Sequence, residues 1–260
     1  MAKDSAIKEF LFAVKKQTKA ALAKQNRQLK RLMLPKQAIT PENCFEVPII
    51  INNRNRFTFL KMMIDQLQSF GYQTIYVLDN DSTYPPLLEY YKTIPANVIF
   101  LKKNIGYKAL WESNAFEQFK NNYYVYSDPD ILLQPDCPKD FVYRLYSYLI
   151  KYPSKEKAGV ALKIDDLPEY YAHKQEAIRN EKTFWEKQPE KDVYDAPVDT
   201  TLALYRPLAF GNAEECEAIR VGGKLAAQHL TWYLDSANLS EEELFYKNSI
   251  KKDTSVYSVK

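Results

Sequence analysis

Two aspartates separated by one proline, Asp128-Pro129-Asp130, end an apolar and aromatic run in the stretch YYVYSDPDILL, residues 123–133. A strand bound for an interior gains nothing from finishing in two negative charges, unless they are solvated or hold a cation. At positions i and i+2 of an extended segment both carboxylates point the same way. Such hard oxygen ligands suit Mg2+ or Mn2+, and Mg2+ is commonly held by one or two carboxylates together with substrate phosphates. The pair reads as a seat for a metal–diphosphate unit, with a solvated surface turn as the plainer alternative.

Three more apolar runs end in polar residues. VPIII (47–51) enters NNRNR (52–56), TIYVLD (74–79) enters DNDS (79–82), and NVIFL (97–101) enters KKNIGYK (102–108). These ends supply Asn53, Arg56, Asp79, Asn104, Gly106 and Lys108 as donor-binding candidates. Between the runs lie helical patterns: one through Phe59, Met62, Met63 and Leu67 ending near Gly71, one around 85–93, and one over 108–120. Alternation at this pace predicts an α/β fold with a doubly wound, mainly parallel, Rossmann-like sheet. Ligands of such sheets gather beyond the carboxyl ends of the strands, so the four polar ends outline one site. With only six glycines, the chain has neither G-x-G-x-x-G nor G-x-x-x-x-G-K-[ST]. That argues against nicotinamide enzymes and P-loop nucleotidases, and for phosphate charge offset by a metal on carboxylates.

Residues 47–135 resemble the nucleotide-sugar-binding half of a GT-A glycosyltransferase of the family 2 type. The matching pieces are PIIINNRNR, VLDNDST, KNIGYKALW and YSDPDILL. The resemblance implies that Asp79 contacts the base and ribose of the donor and that Asn104 and Gly106 line its pocket. It gives Asp128 and Asp130 the metal and diphosphate, and makes His229, in AAQHLTWYLD (226–235), the candidate for a C-terminal histidine closing the metal shell. The implied activity is metal-dependent transfer of a sugar from a nucleotide-diphosphate donor, UDP-linked, to a saccharide or lipid-linked acceptor in surface-glycan synthesis. A sugar-1-phosphate nucleotidyltransferase is the alternative enzyme, disfavoured by the lack of any glycine before Gly71. A non-catalytic nucleotide-sugar-binding module is the alternative from another class.

Beyond residue 150 the alternation loosens into a strand at 158–164, a charged helix through about 187 and a strand at 200–205. This less regular half must supply the acceptor site and the carboxylate that takes the acceptor's proton. The Glu-Asp pair that opens a helix in the resembled family has no clean copy here. Asp165 and Asp166 close one strand, and Asp199 opens another beside the hydroxyls of Thr200 and Thr201. Those hydroxyls favour Asp199, while capping or turn roles stay open for all three. Trp232 and Tyr233 are candidates for stacking on an acceptor sugar, and Arg206, Arg220 and Lys224 for the diphosphate.

The elements that position these residues follow a different N-terminal segment. Of the net charge of +3, residues 1–36 contribute ten Lys/Arg less two acidic residues, 10 − 2 = +8, leaving 3 − 8 = −5 for the rest. Ile7, Leu11, Val14, Thr18, Leu22, Gln25, Leu29 and Leu32 recur at helical intervals, predicting an amphipathic helix over 5–34 before a linker marked by Pro35 and Pro41. The organisation expected is helix and linker at 1–41, then a transferase domain at 42–260 divided at residue 150. The helix fits packing on its own domain or on a partner subunit such as a second copy, or peripheral contact with an anionic membrane. The acidic body argues against nucleic acid. Three scattered cysteines, Cys44, Cys137 and Cys216, suggest a reducing compartment. The expected location is the cytoplasm, peripheral on the inner membrane face.

Overall fold

The structure, a computed structural model, describes residues 2–35, 38–210 and 217–249. Cys216 lies outside them. The alternation of the sequence becomes β1 (Ile49–Asn53), α2 (Thr58–Phe70), β2 (Ile75–Asp79), α3 (Pro85–Tyr90), β3 (Asn97–Phe100), α4 (Phe116–Phe119) and β4 (Tyr124–Ser127), preceded by the long helix α1 (Ala2–Leu32). Then come β5 (Ile131–Leu133), α5 (Phe141–Lys151), β6 (Lys157–Val160), α6 (Lys174–Lys182), β7 (Val193–Tyr194), β8 (Ala203–Tyr205), β9 (Ala218–Val221), β10 (Ala227–His229) and α7 (Glu241–Ser249).

One eight-stranded sheet has the order β3-β2-β1-β4-β8-β6-β9-β7. The first four strands are parallel, and β6 and β9 are parallel to each other. Strand order runs outward from β1 to β3 and then reverses to β4, which puts a switch-point crevice beyond the carboxyl ends of β1 and β4. Both faces are covered. Ile49, Ile51 and Val77 pack with Leu60, Leu87 and Phe141, while Ile50, Leu78 and Tyr126 pack with Phe116 and Phe119 on the other side. β1 is buried along its whole length, as a strand covered on two faces requires. This is the doubly wound, mainly parallel arrangement expected.

Two details depart from expectation. The pattern over 108–120 yields turns and the short α4 rather than a continuous helix. The Ser113 hydroxyl bonds to the Leu110 carbonyl and accepts the Ala115 N–H, a local alternative to helical pairing. The strand expected at 200–205 begins only at Ala203 and inserts antiparallel between β4 and β6. Strands from before and after residue 150 thus form two contiguous halves of a single sheet, joined where β4 pairs with β8. Gly159 permits the close approach, since a Cβ there would lie 2.6 Å from Val198 Cγ1 and 2.9 Å from the Ala203 Cβ.

The tyrosine-rich composition also finds its place. Tyr124 and Tyr205, opposite each other on β4 and β8, stack at 5.2 Å between ring centroids, and the Tyr124 hydroxyl donates to the Ala209 carbonyl (2.7 Å). Tyr126 donates to the Tyr107 carbonyl (2.9 Å), tying the loop after β3 to the sheet. Each ring buries a large apolar surface while its hydroxyl keeps a partner.

Candidate active site

The expected residues of β1 and β2 meet side by side, because the parallel register pairs Asn53 with Asp79 and Asn52 with Leu78. Asp79 is 3% exposed, and its carboxylate accepts from the Tyr91 hydroxyl (2.9 Å) and the Ser82 N–H (3.2 Å). Burial first, then the Asp79 charge, pushes the Tyr91 hydroxyl well above its usual range. Asn53 donates to Tyr91 (3.0 Å), yet its side-chain carbonyl is buried without a hydrogen-bond partner, as is that of Asn52. Buried acceptors without donors are costly in a finished protein interior and mark places where a ligand can donate.

The loop after β3 is fastened to the same ends. Gly106 sits at φ +86°, and its carbonyl accepts from Asn80 (2.9 Å) and Asn52 (3.4 Å). Asn104 is exposed and accepts the Gly106 N–H (3.0 Å), closing a small turn. Asn104 and Gly106 therefore shape the loop through backbone bonds, while the half-buried Lys108 rests its ammonium over the Tyr107 ring (5.5 Å).

At the end of β4 the antiparallel β8 brings residues 199–201 onto the acidic triplet. The Asp128 N–H donates to the Thr200 carbonyl (2.8 Å), and the Thr200 hydroxyl donates to the Asp128 carboxylate. Burial, then the neighbouring charges of Asp130 and Asp199, drive the Asp128 carboxyl well above the ordinary range despite that hydroxyl. One Asp130 oxygen is buried with no hydrogen-bond partner. The other lies 3.8 Å from His229 Nε2. The His229 ring is fixed by Thr231 at Nδ1 and by stacking on Trp232 (4.7 Å between ring centroids). β10 pairs with β5 so that His229 faces Ile131, which is what brings the ring to the triplet. An orphaned carboxylate oxygen, a like-charged neighbour and an oriented imidazole nitrogen fit an open, hard-cation site. Among the described residues no group of three or more His, Cys, Asp or Glu side chains is drawn together closely enough to hold a metal ion as they stand.

The three candidate base carboxylates separate. Asp199 is exposed and close enough to act electrostatically on Asp128. Asp166 is tied to the Tyr233 hydroxyl (2.5 Å) and to Lys163 (2.9 Å), which hold its carboxyl low against the opposing effect of burial. Asp165 stands exposed at 3.8 Å from Lys163.

Several candidates serve the fold instead. Arg56 does not open onto the crevice: it is buried, paired with Glu243 of α7 and laid over the Tyr246 ring (3.6 Å). Arg206 donates to the carbonyls of Lys155 and Leu149, and Arg220 pairs in the interior with Glu181. Trp232 is buried, which removes it as a stacking platform. Lys224 is exposed and lies 3.8 Å from Asp136.

Two further contributors, α7 and Lys157, are not apparent from the sequence. Glu242 accepts from the N–H groups of Phe57 (2.6 Å) and Thr58 (3.0 Å) and from the Thr58 hydroxyl (2.6 Å), capping α2. Tyr246 is close enough to feel both Asp128 and Asp130, and burial chiefly raises its hydroxyl pKa. α7 thereby walls the crevice. Lys157, fully buried, donates to the Asp199 carbonyl (3.4 Å) and to the Tyr205 hydroxyl (3.1 Å). The only signal for α7 was an acidic run, SEEEL, which an ordinary solvated helix shares.

No family model matches the chain, and no curated protein matches it. Among solved structures it is similar to S. aureus TarS 1-349, with TM-score 0.40 and 13% identity over 70% of this chain and 59% of that one. It is also similar to a longer S. aureus TarS structure (TM-score 0.43, 13% identity, 70% and 36% covered) and to a mycobacterial protein (0.41, 13%, 81% and 75%). The chain thus spans 59% and 36% of the two TarS chains. These likenesses are too distant to carry the chemistry, which rests on the geometry above.

Proposed function

We propose that the chain is a metal-dependent glycosyltransferase that takes a sugar from a nucleotide-diphosphate donor, UDP-linked, and passes it to a hydroxyl of a saccharide or glycolipid. The observation that carries this reading is the carboxylate group at the switch-point crevice. Asp130 and Asp199 both bring negative charge to the buried Asp128 there, and one Asp130 oxygen is buried without a partner.

Asp128, Asp130 and His229 would hold Mn2+ or Mg2+, which when bound supplies Lewis-acid stabilisation of the departing diphosphate. The unpartnered carbonyls of Asn52 and Asn53 accept from N–H or hydroxyl groups of the nucleoside, beside Asp79. Lys108, on the loop after β3, would offer its ammonium to the diphosphate. Asp199 takes the proton of the acceptor hydroxyl as its oxygen bonds to the anomeric carbon and the bond from that carbon to the diphosphate oxygen breaks. Lys157 holds the Asp199 backbone while the side chain stays exposed to an incoming acceptor.

Thermal unfolding with a panel of nucleotide sugars, with and without Mn2+, tests the binding half of this reading. A ligand bound by the folded state alone raises the midpoint. Stabilisation by a UDP-sugar only with metal, lost in Asp130→Ala, supports it. Stabilisation indifferent to metal, or none by any nucleotide sugar, refutes it.

A further inference from the structure

Helix α1 is docked with its polar side inward. Arg31 pairs with both oxygens of Glu156, a carboxylate 2% exposed, and also donates to the Pro207 carbonyl. Lys24 bonds Glu217 (2.7 Å), and the Arg27 guanidinium lies over the Phe210 ring (5.5 Å). These three residues, spaced by three and four, share one face of the helix. Leu22 and Arg31 are nine residues apart, about two and a half turns, and so stand on opposite faces. The apolar ridge consequently looks away from the body: Leu22 is 57% exposed, Leu29 55%, Leu32 82% and Met33 86%, and Val14 is exposed as well. The helix does pack on the chain's own domain, one of the sequence expectations, but through its polar face and not through the apolar ridge.

Large apolar side chains in a row, turned outward on a helix whose other face is anchored, mark an interaction surface. Its charge selects the partner. Lys15 and Lys30 are exposed beside the ridge, and residues 1–36 carry +8 against −5 for the remainder. A second copy of the helix would bring like charge to like charge, and the ridge also contains Thr18 and Gln25, weak knobs for a helical seam. An anionic surface meets the opposite sign and accepts a ridge interrupted by polar residues. No described helix is long and apolar enough to cross a bilayer, so the contact is one of lying on it. We propose that α1 is an anionic-lipid-binding element, its outward ridge of Leu22, Leu29 and Leu32, continued by Met33 just past the helix end, entering the headgroup boundary while Arg31 and Lys24 hold the body beneath it.

Co-sedimentation of the full chain with vesicles rich in phosphatidylglycerol, and with pure phosphatidylcholine, tests this. The wild type is expected to bind the anionic vesicles, more weakly as salt rises. Leu22→Glu with Leu29→Glu weakens that binding by at least ~10-fold. Lys15→Glu with Lys30→Glu also weakens it by at least ~10-fold, through charge alone. All four side chains are exposed, so an unchanged unfolding midpoint verifies the fold of each variant. Absence of binding to anionic vesicles, or full binding by the leucine variant, overturns the proposal. So does a wild-type dimer in sedimentation velocity that the leucine variant dissolves, because it assigns the ridge to a second copy.

Discussion

Thr200 and Asp128 are joined twice: the Thr200 carbonyl accepts the Asp128 N–H at 2.8 Å, and the Thr200 hydroxyl donates to the Asp128 carboxylate. The double link fastens the start of the 200–205 segment to the end of β4. It decides which of the second half's aspartates stands at the acidic triplet, namely Asp199. It also leaves Asp128 close to two other negative charges in a buried setting.

Asp128→Asn relieves that repulsion while keeping an oxygen for the Thr200 hydroxyl. Without metal, the variant is expected to be more stable than wild type at neutral pH, by on the order of 1 kcal/mol. The sign follows from the raised carboxyl: the folded state binds the proton more tightly than the unfolded chain. Stability is therefore lost as pH rises from the ordinary aspartate range through the folded value. Thermal melts across that range show the slope in wild type and a weaker one in the variant. Metal-dependent stabilisation should strengthen with pH in wild type and vanish in the variant.

Gly159→Ala puts a methyl where Val198 Cγ1 and the Ala203 Cβ already press. The segment carrying Asp199 and Thr200 must shift, at a cost of about 1–3 kcal/mol. Turnover should fall more than stability alone explains, which activity measured well below the unfolding midpoint would reveal.

Arg31→Met removes one member of a largely buried ion pair and strands the Glu156 carboxylate. A loss of about 3 kcal/mol is expected, read by urea unfolding. Removing the whole N-terminal segment should destabilise similarly, which is why point variants on the outer ridge are the cleaner probe of α1. A truncated chain as stable as wild type would contradict the docking of this helix.

Glu242→Ala uncaps α2 and detaches one anchor of α7, costing about 1–2 kcal/mol. Because α7 walls the crevice, proteolysis near the C-terminal end should accelerate before global unfolding does.

Much of the first half was legible because strand ends and turns are written locally. Asn53 and Asp79 are neighbours because two apolar runs of similar length end alike, and Gly71 closes α2 at φ +107° as a helix-ending glycine does. The 108–120 stretch misled because helical spacing says nothing of Ser113 bonding its own backbone. β8 was hidden for a different reason. Three residues, Ala203 to Tyr205, carry no sign of which strand they will join or in which direction. Periodicity also shows which residues of α1 share a face without showing which face meets the body. There the buried Glu156 decided, and it lies 125 residues away in sequence. Arg56 looked like a donor contact because its partner on α7, Glu243, is 187 residues distant.

The most direct test is the release of nucleoside diphosphate from a UDP-sugar panel in the presence of acceptor saccharides or glycolipids. It compares wild type, Asp128→Ala and Asp199→Asn, each with Mn2+ and with chelator. The account predicts release by the wild type only with metal, its near-complete loss in Asp128→Ala, and a fall of at least ~10²-fold in Asp199→Asn with donor binding retained. Release that persists in chelator, or at wild-type rate in Asp128→Ala, would contradict it.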